Sequence, residues 1–188
     1  MNKKTKATTS SQPPVSLILP PSLYLGPCST ASSKPFLTTN SITHVLSVGA
    51  TPAHEVEGVT YHRISLSDSP SSSISKVCDS ACKIIDDALQ SKNNTGKILV
   101  HCSAGISRSP MVVAAYLMKC RGMTLKAALK QIVEARPQVS PNSGFLQQLK
   151  DLEMELFGTV SLDVDELPMR EKDRLALFAE DTKTTVKD

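Results

Sequence analysis

Cys102 and Arg108 flank five small or uncharged residues in the stretch "ILVHCSAGISRSP", Ile98 to Pro110. A deprotonated thiol is a strong nucleophile. A guanidinium is a planar fork of donors that fits a tetrahedral oxyanion such as phosphate. An apolar run leads into the cysteine, and Pro110 follows the arginine. Proline is well tolerated only in the first turn of a helix, where its missing N–H costs nothing. The spacing therefore predicts a buried strand ending at Val100, a tight loop, and a helix starting near Ser107 to Ser109. Amides at a helix start lack intrahelical partners, and together with the helix dipole they make an anion site. Gly105 permits the tight path. Ser103, Ala104, Gly105, Ile106, Ser107 and Arg108 are thus the expected cradle for a phosphate. The same amides and Arg108 are expected to lower the Cys102 thiol from about 8.5 toward roughly 3.5–7.5. A thiolate aimed into a phosphate cradle implies attack on phosphorus and a phosphocysteine intermediate, with the non-bridging oxygens held by the loop.

Such a reaction needs a proton donor for the leaving oxygen. Asp68, in "SLSDSP", falls between a predicted strand and a predicted helix, whereas Asp79, Asp86 and Asp87 lie on that helix. Asp68 read alone is a turn or cap residue. Beside a thiolate loop it is the best candidate acid, and later the base that activates water. His101 precedes Cys102 on the strand, so the two side chains point to opposite faces. A supporting role in hydrogen bonding around the loop fits His101 better than proton abstraction. Ser109 is either a helix cap or a hydroxyl donor to the Cys102 sulfur that helps the thiolate depart.

The elements that must position these residues are legible from periodicity. "VSLILPPSLYLG" reads as two short extended pieces with a turn at Pro20-Pro21. Ile42 to Gly49, Thr60 to Ser67 and Lys97 to Val100 read as strands. Ile74 to Leu89 carries one apolar face, and Met111 to Met118 is apolar almost all round, which predicts a central buried helix. Thr124 is a plausible N-cap for a helix that Pro137 stops. Asn142 to Phe157 repeats apolar residues at helical spacing up to Gly158. Strands early, helices late and one strand–loop–helix crossover indicate an α/β layer fold.

The 188 residues suit one domain with tails, and 40% apolar with 21% charged residues is ordinary for a globular protein. A net charge of +3 does not predict nucleic-acid or membrane binding. No apolar run approaches a membrane span, and no secretory signal or lipidation motif is seen. Five scattered cysteines suggest reduced thiols inside the cell, cytoplasmic or nuclear. Cys78 and Cys82, four apart on a helical pattern, read as core thiols rather than half of a zinc site. Residues 1–16 read as a disordered tail and 159–188 as a charged C-terminal tail that could form a short helix, which leaves 17–158 for the folded domain.

"VHCSAGISRSP" resembles the signature of cysteine-dependent protein phosphatases, in the form typical of dual-specificity phosphatases. "SLYLGP", "ITHVLSV", "DSP", "AAYLMK" and "ARPQVSPNSGFLQQL" resemble that family in order and spacing. The compact length looks most like its small, atypical members. The resemblance implies Cys102 as nucleophile, Arg108 as phosphate clamp, Asp68 as general acid and Ser109 as helper hydroxyl. It also implies a central mixed, mostly parallel sheet flanked by helices, no metal or other cofactor, and phosphorylated proteins as partners. Asn142 matches a family position near the loop, and reads equally well as the N-cap of the last helix. One alternative is a phosphoinositide or RNA phosphatase, whose highly charged substrates favour lysines within the loop; here the loop interior is uncharged. Another is a phosphopeptide-binding module without catalysis, but Cys102, Arg108 and Asp68 are all present. A rhodanese-like sulfur carrier requires neither the aspartate nor the Arg-Ser pair. Oligomeric state and physiological substrate are left open by the sequence.

Overall fold

The computed structural model describes residues 15–179. Most of the expected N-terminal tail and the last nine residues lie outside them. Five strands form one sheet: β1 (Ser16–Leu19), β2 (Leu23–Pro27), β3 (His44–Val48), β4 (Thr60–Ile64) and β5 (Ile98–Cys102). Their order is β1-β2-β5-β3-β4. Only β1 runs antiparallel to its neighbour; the other three pairings are parallel. The expected mixed, mostly parallel sheet is therefore present. The turn at the proline pair is closed by the Ser22 amide, which donates to the Leu19 carbonyl at 2.7 Å.

The helices are α1 (Cys28–Ala31), α2 (Lys34–Thr39), α3 (Ser75–Asn94), α4 (Arg108–Arg121), α5 (Leu125–Ala135), α6 (Ser143–Phe157) and α7 (Glu171–Ala179). The two faces of the sheet carry separate cores. Leu46, Val48, Ile98, Val100 and Cys102 join the large core beneath α3 to α6. Val45 and Leu99, one residue out of phase, join the smaller core under α1 and α2. This alternation is the period-two rule of a strand applied to a sheet covered on both sides. Helix α4 is buried continuously from Ser109 to Met118, the central position its all-round apolar sequence demands. Cys78 and Cys82 lie in the same core as unpaired thiols.

Caps set the ends of the helices beside the loop. Thr124 accepts from the Ala127 amide and starts α5, and Asn142 accepts from the Phe145 amide at 3.0 Å and starts α6. Gly158 ends α6 in the left-handed conformation. Helices α1 and α2 are additions to the sequence reading, being too short to show a periodicity.

The C-terminal segment differs from the charged tail expected of residues 159–188. Leu162, Leu167 and Phe178 are buried in the main core, and Arg174 is only 4% exposed. Its guanidinium donates from Nε to the Pro137 carbonyl at 2.8 Å, and from Nη1 to the carbonyls of Pro168 (2.6 Å) and Met169 (2.8 Å). The charge pattern that suggested a solvated tail conceals one arginine whose fork is filled by carbonyls. A buried charge is tolerable when so engaged.

Candidate active site

Cys102 is the last residue of β5, and its side chain points to the α4 side of the sheet. It is 2% exposed, at the floor of a loop whose Ser103, Ala104 and Ile106 face solvent. The sulfur accepts from the Gly105 amide and from the Ser109 hydroxyl, each at 3.3 Å. Burial alone raises this thiol. The Ser109 hydroxyl and the amides of Ser109, Ile106 and Gly105 outweigh that and hold it below its ordinary value. Ser109 therefore hydrogen-bonds the sulfur, and no side-chain cap starts α4.

Why the loop amides face inward is answered by the segment after α5, whose part in holding the loop is not visible in the sequence. The carbonyls of Ala104, Gly105 and Ile106 are all engaged from behind. Arg136, 3% exposed at the end of α5, donates from Nη2 to Ala104 O at 3.0 Å and from Nε to Gly105 O at 2.8 Å. The Ser140 amide donates to Ile106 O at 2.8 Å. In a trans peptide the C=O and the following N–H point opposite ways. Pinning carbonyls 104, 105 and 106 outward therefore turns amides 105, 106 and 107 inward. Burial lowers the Arg136 guanidinium, while the charge of the Cys102 thiolate opposes that lowering. Gly105 makes the turn at φ +70; a Cβ there would stand 2.5 Å from the Gly26 carbonyl.

Arg108 opens α4 beside the loop. Its Nη1 donates to the Gly49 carbonyl and its Nη2 donates to Ser103 Oγ at 2.8 Å. Its Nε is buried, without a hydrogen-bond partner among the described residues, and lies 3.6 Å from Asp68 Oδ2. Gly49 has φ +63, and any side chain there would collide with the Leu66 carbonyl and with Nη1 of Arg108.

Asp68 meets the loop at Ser107, the residue before α4. Its Oδ1 accepts from Ser107 Oγ at 2.7 Å and from Asn142 Nδ2 at 2.9 Å. Ser107 Oγ in turn accepts from the Asn142 amide at 3.2 Å. Asn142 thus caps α6 and also donates to Asp68. Gln148 of α6 adds two stitches to the same loop, accepting from the Ile74 amide (3.1 Å) and donating to the Ser72 carbonyl (2.9 Å).

His101 is fully buried on the opposite face from Cys102. Its Nδ1 lies 3.2 Å from the Cys102 carbonyl and its Nε2 lies 2.8 Å from Ser47 Oγ. A carbonyl only accepts, so Nδ1 carries the proton. Burial lowers His101 below its ordinary 6.5. The ring is therefore neutral at pH 7, and Nε2 accepts from Ser47. Its place is behind the strand end, without contact to the phosphate side of the loop.

The structure brings together Cys102, Arg108, Asp68, Ser109, the loop and Asn142, with His101 at the back. The sequence reading missed Arg136, Ser140, Ser47, Gly49 and Gln148. "ARPQV" enters the sequence reading as a helix end and as part of a stretch resembling the family, without a role for Arg136, since nothing local marks an arginine as the holder of distant carbonyls. Among the described residues no cluster of three or more His, Cys, Asp or Glu is arranged to hold a metal ion.

Residues 23–155 match the family model of the dual specificity phosphatase catalytic domain. The chain belongs to the dual-specificity protein phosphatase family. It is similar to dual specificity protein phosphatase 1 of Arabidopsis thaliana, 41% identical over 71% of this chain and 67% of that protein. It also resembles dual specificity protein phosphatase 15 of Mus musculus, 36% identical over 82% of this chain and 66% of that one. The chain thus spans about two thirds of the length of these curated relatives. The crystal structure of human DUSP28 superposes with a TM-score of 0.70 at 31% identity, covering 77% of this chain and 95% of that one. These neighbours place this dual-specificity phosphatase among the small, atypical members. Helix α7 lies beyond the matched region.

Proposed function

We propose that this chain hydrolyses phosphotyrosine and phosphoserine/threonine in proteins through a phosphocysteine intermediate. The observation that carries this reading is the Cys102 sulfur, held by the Ser109 hydroxyl and loop amides at the floor of an inward-facing amide cradle. A phosphate placed in that cradle meets amides 105 to 107 and the unpartnered Nε–H of Arg108. These donors are fixed before the reaction, which is how electrostatic stabilisation of a phosphoryl transition state is obtained.

In the first step Cys102 Sγ forms a bond to phosphorus as the ester bond breaks. The leaving oxygen takes a proton from Asp68. Because Oδ1 already accepts two hydrogen bonds, the proton belongs on Oδ2, the oxygen beside Arg108. In the second step the Asp68 carboxylate takes a proton from water as its oxygen attacks phosphorus. The S–P bond breaks, its electron pair returns to Sγ, and the Ser109 hydroxyl stabilises the emerging thiolate. Inorganic phosphate leaves and the enzyme is restored. No metal or cofactor enters these steps.

The uncharged loop interior favours a phosphoprotein over a polyanionic lipid headgroup or nucleic acid. All five cysteines are unpaired, which suits a reducing compartment, cytoplasm or nucleus. A panel of phosphotyrosine peptide, phosphothreonine peptide, a phosphoinositide and a 5′-phosphorylated RNA tests the reading, with Cys102→Ser as control. Phosphate release from the peptides by the wild type and none by Cys102→Ser is expected. Preference for the lipid or the RNA, or turnover that survives Cys102→Ser, overturns it.

A further inference from the structure

The catalytic loop is supported in two tiers, and the outer tier lies outside the family's matched region of residues 23–155. The inner tier is the segment after α5, where Arg136 and Ser140 hold the carbonyls of Ala104, Gly105 and Ile106. Pro137 lies within this segment and, as a proline, donates no amide hydrogen bond to hold itself in place. Its carbonyl is taken by Arg174 of α7, in a buried bond of 2.8 Å. The other arm of Arg174 binds the carbonyls of Pro168 and Met169, so the guanidinium links the chain before α7 to the residue next to Arg136. Phe178, Leu162 and Leu167 seat this C-terminal segment in the main core.

Resting on the phosphatase reading above, we propose that Arg174 is a positioning residue for the phosphate loop. It fixes Pro137, and thereby keeps Arg136 and Ser140 on the three loop carbonyls that turn amides 105–107 toward a bound phosphate. The physical basis is directionality. A hydrogen bond weakens steeply as its angle opens, and a misplaced anchor costs rate because the donors no longer converge on one point. Arg136 is the C-cap of α5, just past its last residue Ala135, and carries a non-helical backbone (φ −147, ψ 81). Its amide still donates to the Ile132 carbonyl at 2.8 Å, so α5 holds it on one side and whatever holds the chain just after it sets the other. Arg174 touches none of the expected reacting atoms; it acts through Arg136.

The test uses the full chain with Arg174→Met, which keeps the apolar stem, and Arg174→Lys, which keeps the charge with fewer donors. Leu37→Ala serves as a stability control, because Leu37 lies in the core on the other face of the sheet. Three quantities are read: the pH midpoint of iodoacetate alkylation at Cys102, the affinity for inorganic phosphate, and Tm. Arg174→Met is expected to raise the alkylation midpoint by about half a unit and to weaken phosphate binding by roughly three- to tenfold. Arg174→Lys should fall between it and the wild type. Leu37→Ala should lower Tm while leaving midpoint and phosphate affinity at wild-type values. The proposal is overturned if both Arg174 variants keep the wild-type midpoint and affinity, or if Leu37→Ala shifts them equally. Should Arg174→Met fail to fold, Arg174→Lys decides by the same two readouts. Wild-type protein that binds phosphate but turns over no substrate counts against the phosphatase reading alone, because the alkylation and binding comparisons still read the brace.

Discussion

Replacing Ser109 by alanine removes one atom from the site, and its consequence can be worked from the geometry. The hydroxyl donates to Cys102 Sγ at 3.3 Å, and Ser109 is wholly buried, so no water replaces it. A hydrogen bond to a charged acceptor contributes about 1.5–3 kcal/mol. At 1.36 kcal/mol per pKa unit, its loss raises the Cys102 thiol by about 1–2 units. The sign follows from the structure: the hydroxyl stabilises the thiolate, so without it more alkaline conditions are needed to form the same fraction of nucleophile. The same energy bears on the second step, where the thiolate is the leaving group; breakdown of the phosphoenzyme should slow by roughly 10–100-fold. Two assays read this. The pH profile of iodoacetate inactivation should move upward, and rapid mixing with p-nitrophenyl phosphate should show a burst of nitrophenol followed by a slow steady state. An inactivation midpoint within about 0.3 unit of the wild type, together with an absent burst, refutes the reasoning, since the structure offers Sγ no compensating donor in place of that hydroxyl.

Other expectations follow from the same geometry. Asp68→Asn keeps an acceptor for Ser107 and Asn142 but carries no acidic proton, so kcat should fall about 10²–10⁴-fold on alkyl phosphates and far less on aryl phosphates with acidic leaving groups; an equal effect on both classes removes Asp68 as the acid. Gly105→Ala places a Cβ 2.5 Å from the Gly26 carbonyl at φ +70, which should destabilise the fold by about 1–3 kcal/mol and abolish phosphate binding, read by urea unfolding and by inhibition with inorganic phosphate; unchanged values refute the tight-turn requirement. His101 is held below its ordinary 6.5 by burial, so between that lowered value and 6.5 the unfolded chain binds a proton that the fold does not. Stability should therefore decline as pH falls through and below about 6.5, and His101→Asn should flatten that slope in a Tm series from pH 8 to 5. His44, also lowered chiefly by burial, should leave a residual slope. A slope identical to the wild type's would refute the neutral, buried ring.

The loop from Cys102 to Arg108 was legible in the sequence because its parts are contiguous. A strand end, a glycine turn and a proline-limited helix start are local features, and local sterics and unpaired amides dictate what they make. The same holds for Thr124, Asn142 and Gly158, whose capping roles depend only on the next few residues. The sheet and its central helix α4 were legible from apolar periodicity. Asp68 was reached by combining residue type with chain order, and the structure adds what holds it: Ser107, Asn142 and, through the neighbouring loop, Gln148.

What only the tertiary structure decided is which long side chains reach which carbonyls. Arg136 and Arg174 each look in the sequence like one more surface cation, at a helix end and in a charged segment. Folded, both are almost fully buried, and each holds at least one backbone oxygen more than thirty positions away. Short helices α1 and α2 were equally hidden, since four to six residues carry no period to read. Periodicity and capping are properties of neighbours along the chain, fixed by backbone sterics. A buried guanidinium is stable only where several carbonyls converge on it, and that convergence exists only once the sheet, α5 and the C-terminal segment have been brought together.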